Sequence, residues 1–134
     1  MNDSLRAGLT HERQITIDRE RTISFMGEEG RVYATPELVR DIEVTCRELS
    51  LQHVADGEDS VGTAISIRHS APTPVGMTVW ITVTIASVEG RLVNFEISAK
   101  DEADPICEGT HSRFIVDKVK TIERLKAKGT KRSA

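Results

Sequence analysis

Apolar residues recur in two rhythms along this chain. Between about residues 35 and 52 they follow a helical period, with Leu38, Ile42, Cys46 and Leu49 on one stripe and Val39 at its edge. Thr35 reads as the N-cap of that helix, Pro36 suits its first position, and Glu37 meets the helix dipole favourably. Elsewhere the apolar residues mostly alternate. His11 to Ile17 is a strand with Ile15 and Ile17 on one face, and Arg21 to Phe25 is a weaker extended piece before a polar loop over 26–31. Val61, Thr63, Ile65, Ile67 and His69 form the more apolar face of a strand that carries Gly62, Ala64, Ser66 and Arg68 on its other face. After a proline-stiffened loop, Met77 to Val88 is a long strand, Glu89-Gly90 a hairpin turn, and Val93, Phe95, Ile97 and Ala99 line the next strand. Ile106 to Val116 is the last strand, and Asp117 to Lys128 a terminal helix.

The order is therefore strand, helix, a four-stranded meander and a short helix, an α+β pattern. One long helix with a single apolar stripe, beside strands with one apolar face each, predicts an antiparallel sheet wrapped around that helix, the layout of a hot-dog fold. The other sheet face, with Trp80 and several threonines, is mixed in polarity and suits pairing with a second copy. The 134 residues make one domain, 1–134, with 1–8 and 129–134 expected to be flexible. A net charge of -3 and only five aromatic residues (one Trp, one Tyr, three Phe) argue against nucleic acid. Five lysines and two arginines between 118 and 132 make a basic end. The charged first thirty residues hold no apolar run, which predicts no membrane segment and a cytoplasmic location. Cys46 and Cys107, and His11, His53 and His111, lack metal-ligand spacing, so no metal is expected.

Three residues carry candidate chemistry. Thr35 opens the helix, Glu43 lies two turns along it beside the apolar stripe, and His69 closes a strand just before a rigid loop. A partly shielded carboxylate and an imidazole suit acid–base work, although Glu43 could equally pair with Arg47 on the helix surface. Thr35 could cap the helix and point into a cleft at once, beside the first-turn amides of Glu37 and Leu38. His111 and Arg113 alternate on one face of the last strand, and Gly62 is an isolated strand glycine of the kind that marks close approach of a ligand or backbone.

The segments Val32-Tyr33-Ala34-Thr35, Ile42-Glu43-Val44-Thr45-Cys46, Ser60-Val61-Gly62-Thr63-Ala64-Ile65, His69-Ser70-Ala71-Pro72-Thr73-Pro74-Val75-Gly76, Ser87-Val88-Glu89-Gly90-Arg91 and Gly109-Thr110-His111-Ser112-Arg113 resemble, in order and spacing, the fluoroacetyl-CoA thioesterase family of hot-dog proteins. The resemblance runs from about His11 to about Lys118. It implies a homodimeric hydrolase of short-chain acyl-CoA with active sites at the dimer interface and no cofactor beyond the coenzyme A of the substrate. The family's catalytic residues fall on Thr35, Glu43 and His69, and its substrate-binding glycine and arginine on Gly62 and Arg113. The chain departs from the fluoroacetyl-specific enzyme in the segment before Thr35, which is shorter here and has only Phe25 and Tyr33 as aromatics. The resemblance thus speaks for thioester hydrolysis and leaves the acyl group open. The alternative is a hot-dog module that binds acyl-CoA as sensor or carrier without hydrolysing it. A hot-dog hydratase would need a second acid–base pair, which the sequence does not offer.

Overall fold

Helix α1 (Thr35–Leu51) packs on one face of a five-stranded antiparallel sheet and touches both of its edge strands and the strand next to one of them, so the sheet curls around it. This is the hot-dog arrangement. The computed structural model describes residues 1–132. The strands are β1 (Thr10–Thr16), β2 (Thr22–Ile23), β3 (Val32–Tyr33), β4 (Glu58–His69), β5 (Thr78–Glu89), β6 (Leu92–Asp101) and β7 (Pro105–Asp117), followed by helix α2 (Lys118–Gly129). The sheet order is β1-β5-β6-β7-β4, and β2 pairs only with β3. The expected four-stranded meander is therefore three strands, β5 to β7. Strand β4 skips its neighbour in sequence and pairs with β7, which leaves the other side of β4 as a sheet edge.

Leu38, Ile42, Cys46 and Leu49 of the α1 stripe are buried against Val79, Ile81, Val83, Ile85, Val93, Phe95, Ile97, Ile106 and Ile115. Each fully buried Leu, Ile or Val contributes about 1.5–3 kcal/mol, so this interior accounts for the fold without crosslinks. Cys46 and Cys107 are accordingly free thiols. The chain before β1, expected to be flexible, is tied to the body: Leu5 is buried and Asn2 N–H donates to the His53 carbonyl. The hairpin between β5 and β6 turns at Gly90-Arg91, one residue later than the sequence suggests, because Gly90 takes φ +61°.

The alternation expected in β4 breaks at Thr63, where a β-bulge separates the pairs Gly62–Arg113 and Ala64–Ser112. One extra residue reverses the phase of a strand. Ser60 and Gly62 thus face α1 before the bulge, in register with the buried Ile115 and Arg113, and Ile65, Ile67 and His69 do so after it, whereas Val61 is exposed. Periodicity has no signal for such an insertion, and without it Gly62 and His69 would lie on opposite faces. Pairing of β4 with β7 also requires a bare residue at Gly109: a Cβ there would lie 2.1 Å from the Ser66 carbonyl oxygen and 2.8 Å from Ile67 Cα. Gly109→Ala is expected to cost about 1–3 kcal/mol in urea unfolding, the range for overpacking against groups that cannot yield. A loss below about 0.5 kcal/mol would show that the two strands separate freely.

Candidate active site

Two groups of polar residues face the inside of the sheet, one toward each end of β4. At the first, Thr35 Oγ1 lies 2.8 Å from His69 Nδ1. The sequence suggested that this hydroxyl caps α1. In the structure Ala34 is the cap residue, no side chain caps the helix, and Thr35 is its first residue. The hydroxyl is thereby free for the imidazole. The Leu38 amide donates to the Ala34 carbonyl, so it is not available to a substrate. The loop after His69 is held by Ser70 N–H on the Ile106 carbonyl and by Thr73 Oγ1 on Asp101 Oδ2 at 2.8 Å. A cleft of about 390 Å³ opens here, walled by Ile23, Phe25, Tyr33, Ala71 and Pro72. His69 Nε2 is buried without a hydrogen-bond partner.

The second group surrounds Gly62. A Cβ at this position would meet Glu43 Oε1 at 2.9 Å, His111 Cε1 at 3.2 Å and Arg113 Nη1 at 3.5 Å. The carboxylate and guanidinium therefore face each other across a space that only glycine leaves empty. Arg113 is 5% exposed and fixed by its other nitrogens: Nε donates to Ser60 Oγ at 2.7 Å and Nη2 to the Ser60 carbonyl at 2.8 Å. His111 Nδ1 donates to the Ala64 carbonyl at 2.8 Å, beside the bulge, which leaves Nε2 to accept from Arg113 Nη1 at 3.1 Å. The alternative partner for Glu43 is engaged elsewhere, since Arg47 forms a two-pronged pair with Asp59. The spacing of His111 and Arg113 hinted at a shared face, but nothing in the sequence tied His111 to Glu43.

Burial sets the protonation states. It holds the His69 imidazole below its ordinary value of 6.5. Burial does the same for His111, aided by the Arg113 charge and opposed by the Ala64 carbonyl and Glu43. Arg113 is lowered by burial too, with Glu43 as the largest opposing influence. Burial pushes the Cys46 thiol up to about 12 and Cys107 to about 11, so neither is a thiolate nucleophile at neutral pH.

The structure thus joins Thr35 to His69, and Glu43 to Gly62 and Arg113, but does not join the two pairs within one chain. Gly62 and His69 are seven residues apart on β4, about 20 Å of strand. Thr35 and Glu43 are separated by eight residues, about 12 Å, along the helix axis.

Solved structures with the same architecture include thioesterases. A point mutant of a fluoroacetyl-CoA-specific thioesterase superimposes with a TM-score of 0.87 at 31% identity, over 95% of this chain and 99% of that one. A thioesterase superfamily member from Thermus thermophilus gives 0.85 at 26% identity, over 97% and 99%. The fold and these neighbours define the class as hot-dog thioesterase. The family model "Fluoroacetyl-CoA-specific thioesterase" matches residues 17–119. The fluoroacetyl-CoA thioesterase of Streptantibioticus cattleyicolor is 33% identical over 123 residues, 87% of this chain and 88% of the relative. The chain belongs to the fluoroacetyl-CoA-specific thioesterase family.

Gly62→Ala is expected to displace the Glu43 carboxylate, the far end of a flexible side chain, at little cost to the fold. Misplacing a reacting group by about 1 Å costs up to about 10²-fold in rate. The expected result is therefore a tenfold or greater fall in kcat/KM with a Tm change below about 2 °C. Unchanged turnover would mean that the empty space at Gly62 does not position Glu43.

Proposed function

We propose that this protein hydrolyses a short-chain acyl-CoA to the free acid and CoA, in two equivalent sites of a homodimer. The supporting observation is the division of the polar residues into two halves along an edge strand. An exposed strand edge is a ready surface for another chain. If two copies of β4 pair antiparallel about the point between Ile65 and Ser66, Gly62 of one copy comes opposite His69 of the other. Each Thr35–His69 cleft then meets a Glu43–Gly62–Arg113 group, and the site is whole. A relative at 32% identity was solved with fluoroacetate and CoA bound, which supports the ligand class.

In this reading Glu43 acts on the thioester carbonyl, either as nucleophile or as base for water. Arg113, anchored on Ser60, faces the same space and balances negative charge as it develops. Where Glu43 is the nucleophile, water hydrolyses the acyl-Glu43 anhydride, and His69, neutral at neutral pH, takes water's proton and passes it to the CoA thiolate. Where Glu43 is the base, the proton it takes from water reaches the departing thiolate through His69. In either case Thr35 fixes the imidazole through Nδ1. Acid–base help of this kind is worth about 10²- to 10⁴-fold. No metal or redox group enters. Among the described residues no helix is long and apolar enough to cross a membrane, and a cytoplasmic location fits a CoA ester as substrate.

The test is release of free thiol from a panel of acetyl-, fluoroacetyl-, propionyl- and butyryl-CoA, beside calorimetric binding. Binding without thiol release would favour the non-catalytic carrier. The pH profile is a further check. Because burial favours neutral His69, kcat/KM should hold down to about pH 6.5 and fall only below it. An acid limb at or above pH 7 would remove His69 as the proton acceptor. Folding follows the same sign. Below the ordinary value the unfolded chain binds more protons at His69 and His111 than the native one, so stability declines as pH falls.

A further inference from the structure

We propose that Tyr33, locked by a partly buried Asp41–Arg21 ion pair, is a positioning residue that sets the orientation of the His69 ring. This rests on the reading of His69 given above. The His69 imidazole has one hydrogen-bonded atom, Nδ1 against Thr35, and a ring held at one atom can still swing about that bond. The second restraint is Tyr33. Its ring stands edge-to-face with the imidazole, centroids 6.4 Å apart and planes at 78°.

Tyr33 is 1% exposed, and its hydroxyl donates to Asp41 Oδ2. Burial first, and then this bond, raise the phenol above its ordinary range, so it keeps the proton it donates. Asp41 is 4% exposed, on α1 two residues before Glu43. Arg21 grips it through Nε at 3.0 Å and Nη2 at 3.4 Å, and Arg13 Nη1 stands 3.9 Å away.

An ion pair adds little net stability whether it is exposed or buried, so the use of this partly buried one lies elsewhere. Here it fixes geometry. The pair ties α1, which carries Glu43, to β3, which carries Tyr33, and to the residue just before β2. Ile23 and Phe25 follow Arg21 and wall the same cleft. One clamp therefore sets both the neighbour of the imidazole and one wall of the cleft beside it.

Full-length Tyr33→Phe and Asp41→Asn are compared with Thr45→Val, which loses a hydroxyl bonded to the Asp41 backbone carbonyl but leaves the clamp side chains intact. The readouts are kcat and KM on the best acyl-CoA, and ¹H–¹⁵N spectra of the His69 imidazole. The first two variants are expected to lose about tenfold or more in kcat with KM within about twofold, and to show averaged His69 ring signals. Thr45→Val should keep both kcat and the spectrum. Unchanged kcat and an unchanged spectrum in folded Tyr33→Phe and Asp41→Asn would overturn the proposal, as would equal losses in Thr45→Val. If wild-type protein releases no thiol from any ester, the hydrolytic reading falls and the His69 spectrum alone decides: averaging in the two clamp variants supports the clamp, and no change overturns it.

Discussion

Glu43→Gln is expected to lower kcat for acyl-CoA hydrolysis by about 10³-fold or more, with the protein still folded. The amide keeps the volume of the carboxylate but can neither attack a carbonyl nor take a proton from water. Little else changes, because Arg113 keeps its bonds to Ser60 and His111. It does lose its nearest opposing charge, and a buried cation without an anion is costly. Stability should therefore fall modestly, by about 1–2 kcal/mol, which separates this variant from one that fails through unfolding. Free-thiol release and urea unfolding on the same preparation check both numbers. A folded Glu43→Gln protein with more than a tenth of wild-type kcat would take Glu43 out of the reaction.

The helix and the strands were legible because each buries one face and repeats at its own period. The stripe Leu38, Ile42, Cys46 and Leu49 is the case in point. Sheet order was less legible, since nothing local tells β4 to pass over β5 and pair with β7. The identities of the site residues came from matched segments rather than from periodicity, and their grouping could not come from either. Thr35 reads as a cap by residue preference, yet its hydroxyl has a better partner in His69, which only the tertiary fold supplies. Asp41 has no signal at all: a charged residue on a helix is normally solvated, and here it is buried because Tyr33 and Arg21 reach it. The bulge at Thr63 is similarly silent, although it decides that Gly62, Ile65 and His69 share a face.

That shared face makes the proposed dimer a chemical question as well as a structural one. The inactive variants Glu43→Gln and His69→Ala, mixed after unfolding and refolding together, should regain about a quarter of wild-type activity. In random pairing about half of the dimers are mixed. Each mixed dimer has one site built from the intact Glu43 of one chain and the intact His69 of the other, and one site with both defects. Half the dimers with half their sites give the quarter. If Glu43 and His69 of the same chain worked together, every site in the mixture would carry one defect and activity would stay at the level of the single variants. Thiol release by the refolded mixture decides between the two, with each variant refolded alone as the baseline. Gly62 and His69 lie about 20 Å apart along one β4, and recovery is the result that the proposed pairing of two β4 edges predicts.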